Sequence, residues 1–204
     1  MTIESTAPAP SSYPISIVFA PAGKQSRLTI FFRLVLILPA LIVSTLVGTA
    51  AFVVTFFAWW IVVIAGRYPG GMFRFAVGAM RWGLRVTAYY YLLTDKYPPF
   101  SLDDKPDYPA RMRVEEATNG RNRLTAFFRF FLLIPHFIII WLLGYAVSAV
   151  AIVCWLIGIF AGRVPSSLHD FLAGYLRWTM RATGYWYLLT DRYPPFSMSE
   201  TEVI

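Results

Sequence analysis

From Ile30 to Ala65 the chain is apolar except for Arg33, and 96 positions later the stretch from Ala126 to Ala161 is apolar except for Arg129. As one helix, a run of 36 residues would reach roughly 54 Å at about 1.5 Å per residue. The hydrocarbon core of a bilayer is only roughly 30 Å thick. Each run therefore reads as two tilted legs of a hairpin, turning near Ser44 to Thr49 in the first case and near Gly144-Tyr145 in the second. The composition points the same way: 57% hydrophobic residues with 14% charged exceeds what a soluble core of this size uses.

The two runs belong to a duplication. Arg27 to Ser101 aligned without gaps on Arg123 to Ser197 gives 36 identities in 75 positions. A fixed period of this kind marks one structural unit used twice. The organisation expected is a tail over 1–12, a first repeat over 13–103 and a second over 104–204. The tail has no Lys or Arg and no apolar segment of its own, so it reads as disordered rather than as a cleavable signal.

Each copy opens with a Tyr-Pro pair and an alternating stretch, YPISIVFA from Tyr13 and YPARMRVEE from Tyr108, which suggests strands outside the bilayer. The YPPFSL segment ahead of the second stretch is positioned to form a hairpin with it. After each Gly-Arg-x-Pro break comes a further helix. In Met72 to Leu93, Arg74, Arg81 and Arg85 fall on one stripe, and Phe73, Val77, Met80, Leu84 and Ala88 on another. That amphipathic pattern suits a helix lying at the headgroups. The fold class expected is a mainly α membrane protein, a tandem repeat of transmembrane hairpin plus interfacial helix, with short strands outside. Hairpin ends rich in Arg then share one face, which the positive-inside rule makes cytoplasmic, with both termini on that side of a multi-pass protein.

The formal charge of +7 resides in the repeats, because the tail and linker are net acidic. Cations set among Phe, Trp and Leu suit an anionic lipid surface better than nucleic acid. Arg81 and Arg85, with their counterparts Arg177 and Arg181, stack like charges four apart and call for a nearby anion. Asp95 and Asp191 each follow a helix C-terminus, where an anion needs a cationic partner; Arg67 and Arg163 at the hairpin exits are the expected partners. These eight residues are the candidate site, either a pocket for an anionic headgroup or a clasp that fixes the third helix to the hairpin.

Little points to catalysis. Cys154 stands alone, so no internal disulfide or Cys-x-x-Cys site forms. Metal-site, nucleotide-loop and nucleophile-elbow motifs are missing from the sequence, and no cofactor is expected. His136 and the pair His169-Asp170 occur in the second copy only; adjacent helix residues point about 100° apart and rarely act together.

The order IP, apolar run, GRxP, RWxxRxxxY and TDxYPPF resembles a bacterial domain-of-unknown-function family, number four-three-eight-nine. Both copies carry it, through Pro39, Gly66, Arg67, Pro69, Arg81, Trp82, Arg85, Asp95 and Tyr97 to Phe100 and their second-copy equivalents. The first copy departs at Leu38-Pro39-Ala40 and the second at Val164. The resemblance implies an integral membrane protein with no assigned reaction. The leading expectation is a non-enzymatic scaffold or accessory subunit that holds anionic lipid or a membrane protein partner. A small transporter or channel and an enzyme on lipid-linked substrates are the alternatives.

Overall fold

A computed structural model describes residues 13–115 and 120–199; the expected tail over 1–12 lies outside them. In chain order come β1 (Ile15–Phe19), α1 (Arg27–Leu36), α2 (Leu38–Ala65), α3 (Gly70–Tyr90), β2 (Ala110–Val114), α4 (Arg123–Ala161) and α5 (Ser166–Trp186). The chain is mainly helical, with one small sheet and with two helices, α2 and α4, long and apolar enough to cross a membrane.

The apolar runs do not turn back on themselves. α2 passes through Ser44 to Thr49, and α4 through Gly144-Tyr145, without a break. Neither stretch holds a proline, and Gly48 and Gly144 stay within the helices without the left-handed angles of a helix end. The hydroxyls of Thr45, Thr49 and Ser148 donate to carbonyls four residues back, so polar side chains that suggested a turn are absorbed by the helix itself. The only interruption is Ile37 between α1 and α2, which keeps right-handed helical angles, with Pro39 in the first turn of α2. Its counterpart Pro135 sits inside α4. Both repeats thus use a 39-residue rod, written as one helix in α4 and as two nearly continuous ones in α1–α2.

Ends are set by short-range chemistry. The Ser26 hydroxyl caps Thr29, and the Asn122 amide oxygen accepts from Leu124 and Thr125. Gly66 and Gly162 close the rods with φ of 67°, a left-handed conformation that a side chain resists. Pro69 and Pro165 then precede α3 and α5.

The rods run antiparallel. The Trp59 indole donates to the Ala126 carbonyl at 2.8 Å and, 96 positions on, Trp155 donates to Ile30 at 2.9 Å. The Gly66 carbonyl accepts from the Arg121 amide and the Gly162 carbonyl from that of Gln25. Each rod's end is therefore completed by the other rod's beginning, and a pseudo-twofold axis passes between them, perpendicular to both. Arg67 and Arg163 lie at opposite ends of the pair, not on the shared hairpin face expected.

The same axis relates the other elements in layers. α3 packs on α2, α5 on α4, and α3 on α5. β1 and β2 pair antiparallel with Ile17 opposite Met112, and this ribbon packs on α5 through β1 and on α3 through β2. Ile15, Ile17, Phe19, Ala110 and Met112 are buried beneath it. The expected hairpin between YPPFSL and the second strand does not form, because β1 takes that edge. Each strand packs on the other repeat's helix, so the repeats interlock.

α3 buries the stripe read from sequence (Phe73, Val77, Met80, Leu84, Ala88) and, against expectation, Arg85 as well. Of the polar stripe, Arg74 is exposed and Arg81 half-buried, while Arg85 is covered by the segment after α3. That segment comes so close that Gly78 faces Leu102, and Gly174 faces Met198. A Cβ on Gly78 would stand 2.9 Å from the Leu102 Cβ and 3.1 Å from its carbonyl oxygen. Since backbone must shift, Gly78→Ala or Gly174→Ala is expected to cost about 1–3 kcal/mol, read as a lowered thermal midpoint in detergent, whereas Gly83→Ala, with open space around it, leaves the midpoint unchanged or raised.

Candidate membrane-binding site

Beyond the arginine that opens it, each apolar rod carries a single cation, and that cation is one of the most buried side chains. Arg33 is 1% exposed and Arg129 2%. Such burial is costly unless the guanidinium hydrogens find acceptors; in both residues the two terminal nitrogens do, and the Nε–H has no partner among the described residues. Arg33 donates to the carbonyls of Tyr89 and Thr94, to the Gln25 side chain and, at 2.9 Å, to Asp95. Its guanidinium lies over the Tyr89 ring at 4.3 Å. Arg129 repeats the arrangement with Tyr185, Thr190 and Asp191, the last at 2.6 Å, and with the Tyr185 ring at 4.1 Å. Arg121 stands 3.9 Å from Asp191 in the second clasp, where the first has Gln25.

The carbonyls are available because α3 and α5 end in the same unusual way. Leu92 and Leu188 adopt positive φ of 58° and 59°, turning the chain so that the final carbonyls converge on one point. Both leucines are buried, and their packing offsets the strain of a non-glycine residue in that region. The aspartates then reach back to cap the rods: Asp95 accepts from the Ser26 amide, and Asp191 from that of Asn122. One carboxylate thus joins a helix N-terminus, where the dipole favours it, to a buried guanidinium.

Asp95 and Asp191 do have cationic partners, but these are Arg33 and Arg129 rather than Arg67 and Arg163. Sequence reading treated Arg33 and Arg129 as mere interruptions. A cation alone in a long apolar run was the available signal, since it must find an anion or expel the helix from its apolar surroundings.

The other candidates divide by repeat symmetry. Arg85 donates to the carbonyls of Ser101 and Asp103, and Arg181 to Ser199. Burial depresses the pKa of both guanidinium groups below the usual arginine range. Arg81 reaches the Met112 carbonyl at 3.3 Å, and Arg177 the Ile17 carbonyl at 3.3 Å, so these two tie the ribbon to α3 and α5. The Tyr108 and Tyr13 hydroxyls donate to the Lys96 and Arg192 carbonyls, and burial pushes both phenols well above their ordinary pKa, keeping them neutral donors. Arg81 and Arg85 donate to backbone oxygens, while the buried Nε of Arg85, like that of Arg181, has no partner among the described residues.

Arg67 and Arg163 are exposed at opposite ends of the rod pair. Each has company. Arg123 approaches Gly66 beside Arg67, and Lys24 bridges to Arg163, with Arg27 against Gly162. Arg67 and Arg163 follow helix C-termini, where the dipole favours cations, whereas Arg27 and Arg123 open α1 and α4, where it disfavours them; all four are exposed, and an external anion would relieve that repulsion.

The histidines also have defined places. His136 is buried, stacked on Phe196 at 3.9 Å, and its Nδ1 accepts the Trp178 indole. His169 and Asp170 do meet, contrary to the expectation for helix neighbours, with 3.2 Å between Nδ1 and the carboxylate. Asp170 bends back in the first turns of α5 and is largely exposed, while His169 is buried. No group of three or more metal-ligating side chains occurs among the described residues.

A family model described as Domain of unknown function (DUF4389) matches residues 27–101 and again 123–198. The chain belongs to that family. Its two matched segments are the two symmetric units, so this DUF4389 protein is a tandem duplication in structure as well as in sequence. Neither a curated protein nor a solved structure matches it.

Removing one guanidinium takes a donor from two carbonyls and from one carboxylate oxygen. Arg33→Met or Arg129→Met is therefore expected to cost about 3 kcal/mol or more, with Arg33→Lys only partly restoring stability because one ammonium cannot span the same acceptors. Thermal unfolding of the purified variants checks this, with Arg67→Gln as the near-neutral comparison.

Proposed function

We propose that this protein is a membrane-embedded, non-enzymatic scaffold or accessory subunit that holds anionic lipid through its cationic helix ends. One observation carries the reading: both rods expose large apolar side chains from end to end. Leu28, Phe32, Leu46, Phe57 and Ile64 in the first rod, and Phe127, Trp141 and Phe160 in the second, are among them. Beyond Arg27 and Arg123 at their first positions, the charged side chains of the rods, Arg33 and Arg129, are buried in clasps. An apolar surface of this extent far exceeds what a soluble monomer leaves open, and lipid is the solvent that suits it.

The end clusters supply the second half. Arg67 with Arg123, and Lys24 with Arg27 and Arg163, border the apolar surface where headgroups lie. Cations beside an anionic leaflet contribute about 1 kcal/mol each. Such clusters match the anionic lipids of a bacterial cytoplasmic leaflet. Of the residues first singled out, Arg67 and Arg163 keep a lipid-binding role, and the other six maintain the frame that holds them apart.

The test is native mass spectrometry of the protein extracted from its own membrane, alongside binding to vesicles of phosphatidylglycerol and of phosphatidylcholine. Retained anionic lipid and preference for phosphatidylglycerol are expected, weakened about fivefold for each of Arg67→Gln and Arg163→Gln with the thermal midpoint unchanged. Equal binding to both vesicle types would remove the lipid-holding role. Stoichiometric co-extraction of a protein with no anionic lipid would move the reading to a protein partner.

A further inference from the structure

The reading above puts the rods in lipid, and the layer order of the fold says how they lie there. Resting on that reading, we propose that the protein embeds in a single leaflet, with α1–α2 and α4 lying flat in the membrane plane and the pseudo-twofold axis along the membrane normal. The occupant of the apolar face is then one monolayer of acyl chains, bordered by its own headgroups, and neither rod crosses the bilayer.

Symmetry leaves two principal orientations. Because the rods are antiparallel, the axis is perpendicular to them. If they stood across the bilayer, that axis would lie in the membrane plane and pass through its centre. The ribbon sits on the axis, with Ile17 opposite Met112 at its midpoint, and it touches α3 and α5 but not the rods. An upright molecule would therefore hold the ribbon at mid-bilayer depth, pushed out sideways into acyl chains.

Two features of the ribbon forbid that position. Its outer side carries Arg113 and Glu115, both exposed, and Arg111, which is part-exposed; each basic group at the bilayer centre costs at least about 2.5 kcal/mol. A sheet of two strands also has two open edges of backbone N–H and C=O. Open edges facing hydrocarbon do not occur, since every unpaired group costs several kcal/mol there. Lying flat, the molecule places the ribbon in water, two layers away from the acyl chains.

Length agrees. A 39-residue rod measures about 58 Å, nearly twice the roughly 30 Å available across the hydrocarbon, and apolar exposure continues from Leu28 to Ile64 in one rod and from Leu124 to Phe160 in the other with no polar band to mark two water boundaries. Flat rods about 10 Å thick fit within the roughly 15 Å of one leaflet's chains. Charge agrees too. Upright, the two cationic ends would lie on opposite sides of the membrane; flat, Arg67 with Arg123 and Lys24 with Arg163 lie at equal depth and meet the same anionic headgroups.

The experiment uses sealed membranes of both orientations and the full-length chain carrying Cys154→Ala, which removes the sole native thiol. Gly70→Cys and Ser166→Cys report on opposite ends of the rods, and Arg113→Cys on the ribbon. A membrane-impermeant maleimide is expected to label all three from one side only. Labelling of Gly70→Cys and Ser166→Cys from opposite sides overturns the proposal. Spin labels at Leu28, Leu46 and Ile64 give an independent profile: a flat rod holds them at one depth, whereas a crossing rod separates its middle from its ends by about 15 Å, half the hydrocarbon thickness. Alkaline carbonate extraction is scored separately. Release into the supernatant sinks the membrane reading itself, while retention with opposite-sided labelling sinks only the flat orientation.

Discussion

Each rod contains one guanidinium that has nowhere to go but inward, and the rest of the structure is arranged around that demand. Arg33 and Arg129 need acceptors from several directions. The only element able to deliver them is the frayed end of an antiparallel helix, where carbonyls lack helical partners. That requirement fixes where α3 and α5 must stop, why Leu92 and Leu188 accept left-handed angles, and why TD follows at once in both copies. The buried pair itself adds modest net stability against an apolar substitute. What it supplies is register, since sliding α3 by a turn would leave a charge unanswered.

Once the clasp sets register within a repeat, the rod ends set it between repeats. Trp59 and Trp155 reach across to Ala126 and Ile30, and the terminal glycine carbonyls accept from Arg121 and Gln25. The molecule is built in three layers from these contacts: ribbon, paired α3 and α5, paired rods. Charge is graded through the layers, exposed on the ribbon and at rod ends but enclosed within the rods. In the proposed setting that gradient is what lets one face meet water and the other meet acyl chains.

Much of this was legible in the chain itself. The 96-residue period, the buried stripe Phe73, Val77, Met80, Leu84 and Ala88, the two strands and the αL glycines all follow from local pattern. The path of the apolar run was not, because run length says how much apolar surface exists and nothing of how it is oriented. Assuming that each run must fit across the bilayer calls for turns at Ser44 to Thr49 and at Gly144-Tyr145, where the helices continue through Gly48 and Gly144. The partners of Asp95 and Asp191 were misassigned for a related reason. With hairpins assumed, Arg67 stood near the helix end; with straight rods, Arg33 does. The histidines looked chemical by composition, yet His136 is stacked under Phe196 with a Trp178 donor, a contact between segments that no local window contains.

The exchange of strands has an implication for how such a chain arose. β1 opens the first repeat but packs against α5, β2 opens the second but packs against α3, and the closing glycine carbonyl of each rod is taken by a residue of the opposite copy. A single ancestral unit would expose an unpaired strand, an uncovered glycine carbonyl and half a ribbon, and would gain all three only by joining an identical unit around a twofold. Duplication in one chain would then have preserved an older homodimer, freeing each half to diverge where the other still supplied the contact, as Phe73 and His169 already have.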